Sequence, residues 1–121
     1  MRSDQRGRRD EPVIGVSTNG DAVVVRLGGE LDLSNAAAVR RALLDAVNGA
    51  SGRVVVDLAE VEFMDSTALS ALVEARARLR ERERFLLAAP GLEARRALQV
   101  SGLDRHFRVH ETVEEALSSG S

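Results

Sequence analysis

Residues 54–75, VVVDLAEVEFMDSTALSALVEA, constrain the fold of this chain more than any other stretch. An unbroken apolar run, Val54-Val55-Val56, leads into Asp57-Leu58. Such a run is what a central strand covered on both faces requires. A second apolar pair, Phe63-Met64, then delivers Asp65-Ser66-Thr67 to a segment in which Leu69, Leu72, Val73 and Leu79 recur at helical spacing. Strand, short connection, hydroxyl pair and helix follow in that order. Ser66 is thereby placed where a helix has unbonded backbone N–H groups, a position able to receive a phosphate. It is a candidate switch residue.

The flanking sequence repeats the alternation of strand and helix. Strands are expected over Val13–Ser17 and Ala22–Leu27, with Asn19-Gly20-Asp21 as the turn between them. A helix fits Asn35–Val47, capped by Ser34 or Asp32, with Val39, Leu43, Leu44 and Val47 on one face. The central strand spans Val54–Leu58. The helix after Ser66 is carried on through the charged run Arg76–Arg84, because Glu74 precedes Arg78 by four residues and arginines suit a helix C-terminus. Phe85–Ala89 reads as a strand stopped by Pro90-Gly91, and Leu92–Ser101 as a helix ended by a left-handed Gly102. A short strand over Phe107–His110 and a last helix opened by the capping-box pattern at Thr112–Glu115 complete the chain. Alternation of this kind specifies an α/β fold with right-handed crossovers between parallel strands. Residues 1–11 are expected to form a disordered arm, 12–118 the domain, and 119–121 a frayed tail.

Composition narrows the chemistry. A chain of 121 residues with 44% hydrophobic content suits one domain with one core. No apolar run approaches a membrane span, and the charged start MRSDQRGRRDEP is followed by no signal-peptide core. The absence of cysteine removes disulfides, thiolate catalysis and cysteine-ligated metals together. All 17 basic residues are Arg, which excludes Schiff-base lysines and the lysine of a P-loop. A net charge of −2 with no Trp or Tyr argues against nucleic-acid binding.

Four features, in order, resemble the anti-sigma factor antagonist family of the STAS fold. They are Gly29-Glu30-Leu31-Asp32, Val56-Asp57-Leu58, Phe63-Met64-Asp65-Ser66-Thr67-Ala68-Leu69 and Ser101-Gly102-Leu103. The resemblance runs from about Val13 to Leu117. It implies a single STAS domain with a mixed central sheet of about five strands and about four helices. It also implies partner switching: the unphosphorylated form binds an anti-sigma factor that is a serine kinase with a histidine-kinase-like ATPase fold, and so frees a sigma factor. Phosphorylation ends that binding and a PP2C-type phosphatase resets it. The family's phosphoacceptor follows the Asp of an Asp-Ser-Ser-Gly motif and corresponds to Ser66, with Asp32, Asp65 and Thr67 expected at the partner surface. Thr67 replaces the second Ser and keeps a hydroxyl, while Ala68 replaces the Gly and is expected to add a methyl near the backbone a kinase approaches. The implied protein is a cytoplasmic monomer or weak dimer, with no catalytic residues, metal or cofactor of its own. ATP and Mg²⁺ come from the kinase.

Other readings remain beside this one. Ser66 alone is compatible with a plain helix N-cap. A non-switching STAS scaffold in a larger stress-signalling assembly would use the same fold. A serine hydrolase would need Ser66 as nucleophile, yet no Gly-x-Ser-x-Gly elbow surrounds it. Asp57 ends a central strand as a receiver's phosphoacceptor does, but the chain has neither a lysine nor the receiver's acidic pair. His106 and His110, four residues apart, would share one face of the last strand, and the sequence offers no third metal ligand.

Overall fold

A computed structural model describes residues 11–118; residues 1–10 of the expected arm and the tail 119–121 lie outside it. Among the described residues the strands are β1 (Val13–Asn19), β2 (Ala22–Leu31), β3 (Val54–Met64), β4 (Phe85–Ala88) and β5 (Arg108–His110). The helices are α1 (Ala36–Gly49), α2 (Ser66–Ala77), α3 (Leu92–Ser101) and α4 (Val113–Ser118), with 3-10 turns at Arg82–Arg84 and Leu103–Arg105. One sheet holds the strands in the order β1-β2-β3-β4-β5. The β1–β2 hairpin is antiparallel and the other pairs are parallel. Because the parallel strands advance in one direction, right-handed crossovers place α1, α2 and α3 on the same face.

Alternation along the strands divides the core in two. Val25, Leu27, Val54, Val56, Leu58, Phe85 and Leu87 face α1, α2 and α3 and pack with Val39, Leu43, Leu72 and Leu98. Val24, Val55, Leu86 and Ala88 face the opposite way, under Ala116 of α4. Both sides of Val54-Val55-Val56 are therefore covered, as its unbroken apolar sequence requires.

β3 is the element that builds the site. It pairs with β4 only from Val54 to Asp57, but stays paired with β2 out to Met64, opposite Leu31. The segment read as a connection is strand, because Glu60-Val61-Glu62-Phe63 alternates with period two and buries Val61. Irregular register at Arg26/Gly28 and Gly29/Glu30 lets β2 follow it, with Gly29 at φ 76°, a conformation that glycine adopts without penalty.

Three other expectations are corrected. α2 stops at Ala77 rather than continuing through Arg84. The Arg/Glu run beyond it supplies no apolar stripe to hold a helix on the core, and the chain turns to bury Leu79 and enter β4. Ser34 is not the cap of α1: Asn35 occupies that position without a side-chain cap bond, and Ser34 instead bonds Asp32. His106 ends a 3-10 turn outside β5, so it does not share a strand face with His110. Gly102 is left-handed, at φ 80°, as the sequence led one to expect.

Candidate functional site

The extended end of β3 sets Asp65 at the N-terminus of α2. Its backbone is extended (φ −102°, ψ −171°), its N–H donates to the Leu31 carbonyl at 3.0 Å, and its carbonyl accepts the Leu69 N–H at 3.1 Å. The Asp65 carboxylate is the cap. Oδ1 accepts from the Thr67 N–H at 2.9 Å, the Thr67 hydroxyl at 2.5 Å and the Ala68 N–H at 3.3 Å. The Thr67 hydroxyl bond, aided by the N–H groups of Ala68, Thr67 and Leu33, holds the Asp65 carboxyl below its ordinary value of 3.8 against a smaller opposing effect of burial.

Ser66 is thereby relieved of capping. It is the first helical residue and is exposed, and its hydroxyl has no hydrogen-bond partner among the described residues. It stands at the mouth of a shallow groove of about 370 Å³, lined also by Leu69, Ser70, Val73, Glu74, Ser101 and Leu103. Val73, assigned from sequence to the apolar face of α2, is 43% exposed and forms part of this groove. The buried stripe is Ala68, Leu69, Ala71, Leu72 and Ala75, and Val73 lies one helical step beyond its edge. Ser66, Ser70 and Val73, at i, i+4 and i+7, form the stripe on which the groove could have been read in the sequence.

Ala68 departs from the expectation attached to it. Its side chain is 1% exposed and packed in the core, so the added methyl points away from any approaching enzyme. Thr67 is half-buried and committed to Asp65. Asp32 sits elsewhere. It closes a turn on Ser34 through Oδ1, at 3.0 Å to the N–H and 2.6 Å to the hydroxyl. It lines a separate polar recess of about 810 Å³ with Gly28, Gly29, Glu30, Asn35 and Glu62. Leu33, which follows Asp32, is 76% exposed, and its N–H faces the Asp65 carboxylate closely enough to help hold that carboxyl low.

Glu74, also in the groove lining, is held by Arg40 of α1 through two bonds of 2.7 and 2.8 Å, with Arg78 at 3.5 Å. The Arg40 bond keeps the Glu74 carboxyl below its ordinary value of 4.5. Among the described residues no group of three His, Asp or Glu side chains could hold a metal ion. No helix among them is long and apolar enough to cross a membrane.

Known proteins are similar to this chain in sequence and fold. The STAS domain family matches residues 14–116. The anti-sigma-F factor antagonist RsfB of Mycobacterium tuberculosis is 32% identical over 109 residues, 90% of this chain and 89% of RsfB. The crystal structure of an anti-sigma factor antagonist from Mycobacterium paratuberculosis superposes with a TM-score of 0.81 at 30% identity, covering 87% of this chain and 90% of that one. The Bacillus cell fate determinant SpoIIAA in its phosphorylated form does so with a TM-score of 0.61 at 28% identity, covering 85% and 95%. With its mixed five-stranded sheet, its one-sided layer of three helices and this likeness along nearly its whole length, the chain belongs to the STAS domain family of anti-sigma factor antagonists.

Proposed function

We infer that this chain acts by partner switching, as a positive but indirect regulator of transcription. Its unphosphorylated form docks an anti-sigma factor that is also a serine kinase with a histidine-kinase-like ATPase fold, and a sigma factor is released. The observation that carries the reading is the Ser66 hydroxyl, exposed, unbonded and set beside an apolar groove at a helix start. Leu69, Val73 and Leu103 supply apolar contact for the partner, and Asp65 holds the helix start in place. Asp32, in its separate polar recess, adds a second contact for the partner beside the loop that carries Leu33.

The kinase supplies ATP, Mg²⁺ and the catalytic base. Transfer forms a bond from Ser66 Oγ to the γ-phosphorus, breaks that phosphorus's bond to the bridging oxygen, releases ADP and passes the hydroxyl proton to the kinase. No histidine lines the groove, and its one carboxylate, Glu74, is already held by Arg40. That arrangement supports a phosphoacceptor over a hydrolytic nucleophile. A phosphate adds roughly −1.5 to −2 charges at pH 7. Juxtaposed with like charge across an interface it costs several kcal/mol, and about 1.4 kcal/mol is tenfold in affinity. Release follows without refolding, and a PP2C-type phosphatase restores the binding form in the cytoplasm. The test is phosphopeptide mapping after incubation with the kinase and ATP. A single phosphate on Ser66, absent from Ser66→Ala, is expected; phosphate on Thr67 or Ser70 would refute the assignment.

A further inference from the structure

A phosphate on Ser66 meets a helix N-terminus whose donors are already taken. Of the first-turn N–H groups, that of Asp65 is bonded to Leu31, and those of Thr67 and Ala68 are bonded to the Asp65 carboxylate. The Thr67 hydroxyl, the nearest side-chain donor, is also given to Asp65. Only the N–H of Ser66 itself is left. An N-terminus open to anions would draw the phosphate inward and neutralise part of its charge. Here a carboxylate occupies that place.

We propose that Asp65 is a positioning residue which keeps the phosphoryl group out of its own helix, so that phosphorylated Ser66 presents an uncompensated dianion to whatever enters the groove. The inference rests on Ser66 being the phosphoacceptor, and it specifies what makes the modification effective. Were the phosphate to fold back onto Thr67 and Ala68, much of its charge would be lost to the partner and the binding penalty would shrink. For the phosphate to do so, Asp65 must surrender three bonds of its own and its contact with the Leu33 N–H. The charged neighbours do not favour that exchange. Asp65 is adjacent, Asp32 lies in the loop held by Leu33, and Glu74, one element of the groove lining, is covered by Arg40 and Arg78. From the α3 side the groove is lined by Ser101 and Leu103, after which the chain continues with Asp104 and Arg105.

The test uses the full chain with phosphoserine installed at position 66 during synthesis, so it requires no kinase and stands apart from the partner-switching reading. Phosphorus NMR follows the second ionisation of the phosphate with pH, in the parent chain and in Asp65→Asn. Asparagine keeps an acceptor oxygen for the Thr67 and Ala68 N–H groups but removes the charge. The expected second pKa lies above the value of about 6 for phosphoserine in an unfolded peptide, and falls by about one pH unit in Asp65→Asn. The amide resonances of Leu33, Thr67 and Ala68 in the parent chain are expected to stay in place on phosphorylation. A second pKa below the peptide value, with those amides shifted downfield, would show that the phosphate has displaced Asp65. A pKa equal to the peptide value and indifferent to Asp65→Asn would also overturn the proposal. The amide comparison needs only the parent chain, so it decides the question even if Asp65→Asn does not fold.

Discussion

Adjacent residues at the start of α2 divide the work. Asp65 and Thr67 spend their polar atoms on the helix start, and Ser66 is left with an unbonded hydroxyl at the surface. The stability of the site should accordingly respond to Asp65 and not to Ser66. Asp65→Ala is expected to cost about 1 kcal/mol at pH 7, the usual value of a lost cap, whereas Ser66→Ala should leave the urea midpoint unchanged. The folded Asp65 carboxyl binds its proton at lower pH than the unfolded one. Its contribution is therefore complete above the ordinary Asp range and is lost as pH falls below about 4. Urea titrations of parent and Asp65→Ala should converge toward pH 3, and a gap that widens with acid would contradict the cap assignment. At this scale the sequence was legible in residue type but not in role. Asp65-Ser66-Thr67 announced a helix start, but Thr67 turned inward to Asp65 and Ala68 into the core. Which way a side chain faces at a helix start depends on the approach of the preceding strand, and β3 runs on to Met64, well past the apolar run that marks it in the sequence.

Among the elements, the length of β3 decides where the site lies. Its half beyond Asp57, paired with β2 alone, carries Ser66 past the end of β4 to the rim shared by α2 and the turn after α3. The order and type of strands and helices followed from apolar periodicity, since each buried stripe reports its own period. The ends did not. The charged run Arg76–Arg84 has good helical charge spacing yet lies partly outside α2, because charge pairs at a surface are weak beside the burial of Leu79. Where an end was set by backbone geometry it could be read, as at Gly102. There φ is 80° and a Cβ would meet no atom within 4 Å, so Gly102→Ala carries a purely conformational penalty. A loss of about 1 kcal/mol is expected, measured by thermal or urea unfolding. No loss would mean that the turn relaxes out of the left-handed region.

At the scale of the whole molecule, the sheet and the three helices packed on one of its faces form a support, with Ser66, the proposed phosphoacceptor, at its edge. Ser66 is exposed and is not among the buried residues of the core, so a phosphate there changes the charge of a surface rather than the fold beneath it. The central claim is that this one modification decides binding. The direct measurement is titration calorimetry of the proposed partner, an anti-sigma factor kinase, with ADP present, against the unphosphorylated chain and the chain carrying phosphoserine at position 66. The account predicts binding weakened by about a hundredfold or more, which corresponds to about 2.7 kcal/mol, with unchanged far-ultraviolet circular dichroism. Equal affinity for the two forms, with both folded, would contradict it.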